Sequence, residues 1–189
     1  MADLEERADD VASGSRQTGA GVVVRPRRGD DLADCVRVLG DVHTADGYPA
    51  DWPDRPAAWL TPDGLLAAWI AESQGRLAGH VGLARSAPGD LAPALWSHRT
   101  GGPPALSAVI GRLYVAPGAR GQHIGARLLA RAVLHARALG LHPVLDVLAT
   151  DTAAVALYRH LGWTHLGSGD QQWASGRTVT VHCFAAPRG

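Results

Sequence analysis

Apolar positions along the chain recur with two periods, and each change of period marks an element boundary. Gly21 to Arg25 is a short β-branched run closed by Pro26, and the stretch opened by Asp30 and Asp31 carries Leu32, Val36 and Leu39 on one helical stripe. A strand followed by a helix is predicted. A Pro-rich, Trp-bearing region from Tyr48 to Pro56 leads into Ala57 to Leu60, read as a short helix, before Pro62, Asp63 and Gly64 turn the chain. Leu65 to Glu72 and Arg76 to Ala84 flank Ser73, Gln74 and Gly75 at hairpin spacing, which predicts antiparallel neighbours. Pro88 to Pro104 has three Gly or Pro clusters and little periodicity, so it reads as a long loop, a feature compact domains keep when it shapes a site.

The second half alternates more regularly. Ala108 to Val115 reads as a strand, and Ile124 to Leu139 as a helix in which Ile124, Leu128, Ala132 and Ala136 fall four apart, stopped by Gly140. Val144 to Ala149 is a strand, Thr152 to Leu161 a helix closed by Gly162, and Thr178 to Phe184 a strand. Early hairpins followed by this alternation predict a mixed α/β sheet with helices on its faces.

At 189 residues and 46% hydrophobic, the chain can bury one sizeable core, so residues 21–189 are expected to form one domain. Met1 to Ala20 is acidic and then rich in Ser, Gly and Thr, without a secretory pattern, and reads as a mobile tail. The 18 basic and 18 acidic side chains cancel, which argues against nucleic acid or an anionic membrane as partner and for a small molecule or a local protein segment. Apolar runs fall short of the roughly 20 residues a membrane span needs. Cys35 and Cys183 are too far apart for a metal knuckle and too few for a disulfide scaffold, which fits a cytoplasmic protein. Nine histidines include no His-x-x-x-His pair, so no metal site is predicted.

Candidate chemistry gathers in two segments. From Leu113 to Leu129 a strand breaks at Pro117, passes Arg120 and Gly121, and enters a helix near Ile124. The first N–H groups of a helix lack intrahelical acceptors and lie at the positive end of its dipole, so the backbone of Arg120, Gly121, Gln122, His123, Ile124, Gly125 and Ala126 is a candidate pyrophosphate cradle. Charge-assisted hydrogen bonds contribute about 1.5–3 kcal/mol each, so three or four hold a diphosphate without a Lys or Arg cluster. No Gly-Lys-Ser/Thr follows, and a dinucleotide fold would place its Gly-rich turn after the first strand of a βαβ unit with an acidic residue further on, so nucleotide hydrolysis and hydride transfer both drop in rank. In the second segment Asp151, Ala154 and Tyr158 share nearly one helical face ahead of Gly162 and Trp163. A plain N-cap and a half-buried aromatic are the alternative reading of Asp151 and Tyr158.

Together these segments resemble the GNAT superfamily of N-acetyltransferases. Leu113, Val115 and Pro117 match its apolar-x-Val-x-Pro strand end; Arg120 and Gly125 match the first and last positions of its Arg/Gln-x-x-Gly-x-Gly/Ala loop, with His123 in place of the middle Gly. Asp151, Ala154, Tyr158, Gly162 and Trp163 match its second signature, with Asp for Asn and Trp for Phe. The resemblance implies a central, mostly antiparallel, twisted sheet of six to seven strands with about four flanking helices. It also implies a V-shaped splay between the 108–115 and 144–149 strands. It implies acetyl-CoA as cosubstrate without a metal, its pantetheine arm along Leu113, Tyr114 and Val115, and its remaining contacts on the loop and on Asp151, Ala154 and Tyr158. A β-bulge near Arg112 to Tyr114 would aim a backbone N–H at the thioester oxygen.

The implied activity is acetyl transfer to a primary amine of a small molecule or peptide by direct attack in a ternary complex, with Tyr158 as acid. Many members carry a Glu on the strand before the loop, and the 108–115 strand has no acid. Asp146, mid-strand among apolar residues, is the candidate base or substrate anchor, and His80 a second. Arg112, if it faces the acceptor, favours a carboxylate or phosphate there. Trp52, Trp59, Trp69 and Trp96 either line an acceptor pocket or fill the core. A non-catalytic acyl-CoA-binding or sensing module on the same fold is the alternative function, and a homodimer stays open.

Overall fold

The computed structural model describes residues 21–172 and 176–188; the tail expected at 1–20 lies outside them. In chain order the elements are β1 (Val23–Pro26), α1 (Leu32–Asp46), α2 (Pro56–Trp59), β2 (Leu65–Ser73), β3 (Arg76–Arg85) and α3 (Leu91–Thr100). Then come β4 (Ser107–Val115), α4 (Ile124–Ala138), β5 (His142–Leu148), α5 (Thr152–His160), β6 (Thr164–Gln172) and β7 (Thr178–Ala185). The strands form one sheet in the order β1-β2-β3-β4-β5-β7-β6, antiparallel throughout except where β4 runs parallel to β5.

Strand alternation divides the core between the two faces. On one face Trp69, Ile110, Leu145 and Phe184 pack with Ile124, Leu128 and Leu129 of α4 and with Val155 and Tyr158 of α5. On the other, α1 covers Ile70 and Tyr114 through Cys35, Val38 and Leu39, and α3 covers Val144, Val181 and Cys183 through Ala92. Both cysteines are buried free thiols. Arg25 ties β1 to its neighbours, reaching Asp31 Oδ2 and Glu72 Oε1 at 2.7 Å each. The hydrogen bonds from Arg25 hold the Asp31 carboxyl down at about 2.

The β2–β3 hairpin turns on Gln74 and Gly75, both at positive φ, the geometry that matches the twist of paired strands. The loop expected at 88–104 is a correction, because Leu91–Thr100 is helical. Leu91, Ala92, Leu95 and Trp96 make a short stripe against the sheet. Pro93 sits in the first turn, where its missing N–H would have had no partner, and Gly101 ends the helix in the left-handed conformation. Among the described residues α3 is one of five α-helices. β6 brings the strands to seven; its Gly169 lies directly under Leu91 of α3, where a Cβ would approach the leucine side chain to 2.7 Å.

Candidate active site

β4 and β5 pair only through Ser107, Ala108 and Val109 with His142, Pro143 and Val144, so beyond Val109 the strands diverge and that edge of β4 has no strand partner. The divergence opens the middle of the sheet. At the same level β4 carries a bulge: His80 pairs Tyr114 and Gly82 pairs Gly111, which sets Arg112 and Leu113 against Val81 alone. Arg112 takes φ +53° there. The extra residue also shifts the alternation, so that Val109 and Tyr114, five apart, both face the α1–α3 side.

β4 runs into a single 3₁₀ turn at Pro117–Ala119 and then the loop that starts α4. The loop is tied down at two points: the Arg120 guanidinium pairs with Asp46 at the end of α1, and Ser73 donates to Gln122 Oε1 at 3.0 Å. Gly121 and His123 have φ of +78° and +56°. His123 is the N-cap residue of α4 and gives the helix no side-chain cap, leaving the first-turn N–H groups directed out of the helix end. Ile124 is core, and a Cβ on Gly125 would meet only ordinary contacts, 3.7 Å from Val115 and 4.0 Å from Leu157. The protein's own packing therefore does not require glycine at 125. Gly79 is different: a Cβ there would lie 2.8 Å from the Tyr114 carbonyl and 3.0 and 3.1 Å from Leu128 and Ile124, so its absence lets α4 sit close on β3 and β4.

Side chains from four elements converge on the splay. Tyr158 of α5 is 6% exposed, packs against Trp163 and Phe184, and its hydroxyl makes no hydrogen bond among the described residues. Burial raises its phenol pKa, with Tyr48, Asp151 and Asp146 adding to the effect. Asp146 follows the last β4-paired residue of β5 by two positions, on the face of Val144 and Leu148. Surrounding protein and then Asp90 raise its carboxyl pKa; because the residue is exposed, water moderates the effect.

Arg112 reaches toward α2, donating from Nε to the Trp59 carbonyl with its guanidinium 5.0 Å from the Trp59 ring centroid. Desolvation lowers its pKa, while Tyr48 and Asp146 act to raise it. His80, fully buried, donates from Nδ1 to the Arg112 carbonyl at 3.0 Å and accepts at Nε2 from Arg27, 3.1 Å away, since a guanidinium only donates. Desolvation pushes His80 down to about 4. With both ring nitrogens engaged, His80 is a structural link and not a free proton acceptor.

The other predicted residues have definite places. Leu113 and Val115 pack on the α4 side of the sheet, while the Tyr114 side chain turns to the opposite core and donates to the Cys35 carbonyl at 2.8 Å, leaving only its backbone for a ligand. Asp151 caps α5, accepting from the Ala154 N–H at 3.0 Å, and Ala154 packs half-buried on the core. Of the four tryptophans, Trp59 lies against the Arg112 guanidinium. Trp69 is core, Trp96 stacks on His142 with centroids 3.8 Å apart, and Trp52 is exposed beside His43. Tyr48, Asp90 and Arg27 were not singled out in the sequence. Each lies in a connection or beside a proline, where no periodicity betrays which way a side chain points. Among the described residues no group of three or more His, Cys, Asp or Glu side chains is placed to hold a metal, and no helix is long and apolar enough to cross a membrane.

Residues 34–163 match the family model described as the acetyltransferase (GNAT) family. Among solved structures, the ribosomal-protein-alanine N-acetyltransferase of Brucella melitensis superposes with a TM-score of 0.64 at 23% identity, over 86% of this chain and 98% of that one. The ribosomal-protein-S18-alanine N-acetyltransferase of Escherichia coli gives 0.62 at 17% identity, over 89% and 96%. A putative acetyltransferase of Salmonella typhimurium, solved with its cofactor acetyl-CoA, gives 0.59 at 22% identity, over 87% and 92%. A search of curated protein sequences finds no significant match.

Proposed function

Because the chain belongs to the acetyltransferase (GNAT) family, we propose that it transfers an acetyl group from acetyl-CoA to a primary amine of a small molecule or peptide within a ternary complex. The observation that carries this reading is the coincidence of the β4–β5 divergence with the uncapped start of α4. Three features fit the cosubstrate. The first-turn N–H groups of α4 suit a diphosphate, the unpartnered edge of β4 offers backbone donors and acceptors to an extended amide chain, and Gly125 leaves room against Val115. Asp151 and Ala154, at the start of α5, are the remaining candidates for contact with the cosubstrate.

Acetyl-CoA, when bound, supplies an activated acyl group as a thioester. Backbone N–H groups at the Arg112–Leu113 bulge, displaced from the regular ladder, are the candidate donors to developing negative charge on the acyl oxygen. Tyr158, whose hydroxyl makes no hydrogen bond among the described residues, holds the proton a departing thiolate needs; a phenol is protonated at neutral pH, and burial raises its pKa further. Asp146 reaches the splay from the other strand; a carboxylate with a raised pKa takes a proton from an ammonium more readily than an ordinary one.

Thiol release from acetyl-CoA over a panel of α-amines, lysine-type amines and polyamines tests the reading. Tyr158→Phe should lower turnover by about 100-fold or more where chemistry limits the rate, with acetyl-CoA affinity retained. Full turnover in that variant would refute the acid assignment, and binding without turnover across the panel would favour a sensing module.

A further inference from the structure

Arg112, beside the splay, carries a guanidinium whose terminal donors make no hydrogen bond or ion pair among the described residues, although Asp146 lies near enough for its charge to act on it. Arg112 is fixed at every point but one. Its carbonyl is held by His80, its Nε by the Trp59 carbonyl and its plane by the Trp59 ring. His80 is itself held by Arg27. Both Nη groups, by contrast, have no acceptor and form no ion pair among the described residues. Arg27 compounds the positive charge, since its own hydrogen bonds go to neutral groups, the Leu60 carbonyl and Thr61 Oγ1, besides His80. A half-buried, rigidly aimed fork with its terminal donors open matches a planar oxyanion.

Asp146 of β5 lies on the face of Val144 and Leu148, the side of the sheet to which Arg112 also turns, and its charge acts on Arg112 while Asp90 adds a second acid near it. The cleft is thus polarised, cationic at the β4 bulge and anionic on β5. An acceptor carrying one charge would meet one favourable wall and one unfavourable one. A dipolar acceptor, with an ammonium beside a carboxylate, satisfies both. The loop before α4 and the Arg112 guanidinium lie on different faces of the sheet. The α4 loop opens on the α4–α5 side, while Arg112 turns to α2 on the other, so the divergence connects the two.

We propose that Arg112 is the specificity residue of the acceptor site, binding through its Nη groups the carboxylate of a free amino acid whose amine is the group acetylated. This narrows the class of acceptor and rests on the acetyl-transfer reading above. Peptide amino termini and simple amines lack the adjacent carboxylate and are poorer acceptors.

The test uses the full chain and matched sets of acceptors: several L-amino acids, each with its carboxamide and its decarboxylated amine. Acetyl-CoA binding is measured separately by calorimetry, and binding of each N-acetyl product to the CoA-loaded protein serves as a readout that needs no turnover. The parent protein should prefer the free carboxylate in kcat/KM and in product binding by about 100-fold or more. R112Q should abolish that preference while keeping acetyl-CoA affinity, and R112K should recover only part of it, because an ammonium restores the charge but not the fork. Carboxamides or amines used as well as the free acids, or a preference that survives in R112Q, would overturn the assignment alone. Bound acetyl-CoA with neither turnover nor carboxylate-dependent product binding would overturn it too. Absence of acetyl-CoA binding would bring down the transfer reading, and this proposal with it.

Discussion

Two side chains at the opening occupy backbone conformations that favour glycine. Arg112 and His123, at φ +53° and +56°, each carry a Cβ in the left-handed region, which costs an ordinary residue roughly 1–2 kcal/mol. At Arg112 the conformation comes with the bulge and with the hydrogen bond from His80, so the strain is tied to a specific arrangement. At His123 no hydrogen bond from the side chain offsets it among the described residues. His123→Gly is therefore expected to raise stability by about 1 kcal/mol in urea unfolding and to leave acetyl-CoA affinity equal or tighter. A loss of stability would mean that the imidazole makes a contribution the backbone argument omits. The departure from the family loop was visible in the sequence, and so was the reason it is tolerable: only backbone N–H groups are needed there. That the residue sits at positive φ was not visible, because one histidine carries no sign of its own dihedral angle.

At the scale of elements, the start of α4 depends on a glycine in a different strand. Gly79 allows Ile124 and Leu128 to lie against β3, and a methyl group there would press on the Tyr114 carbonyl at 2.8 Å, a backbone atom that cannot swing aside. Gly79→Ala should cost about 1–3 kcal/mol and weaken acetyl-CoA binding by tilting the helix end. Gly111→Ala, where a Cβ meets nothing within 4 Å, should leave stability nearly unchanged. Equal effects in the two, measured by thermal unfolding, would contradict the seating argument. Most elements were legible because their periods are clean: the four-residue spacing of α4 and the apolar runs of β3, β4 and β5 left little ambiguity. α3 was hidden because its first turn contains Pro93 and its ends are marked by glycines, which read as loop until the Leu91, Ala92, Leu95, Trp96 stripe has a sheet to face. β6 was hidden for a related reason. As an edge strand with Gly167 and Gly169 under α3, it is shaped by a neighbour far away in sequence.

For the whole molecule, the decisive feature is a sheet that stops pairing midway. Three registered pairs hold β4 to β5 and then the strands part, with an uncapped helix start on one side and Arg112 and Asp146 on the other. Local patterns named the strand, the loop and the α5 segment, and their order suggested how they meet. The acceptor side was far less legible, since Tyr48, Asp90 and Trp59 come from three connections and short elements that only the fold assembles. Zero formal net charge conceals this polarity, because the opposed charges of the cleft cancel in the sum. The most direct measurement is thermal unfolding of the protein with acetyl-CoA and, separately, with S-acetyl-pantetheine, which lacks the pyrophosphate. Acetyl-CoA at 100 times its Kd should add about 2.7 kcal/mol of stability, and the truncated thioester at the same concentration much less. No stabilisation by acetyl-CoA at millimolar concentration, or equal stabilisation by both compounds, would contradict the account.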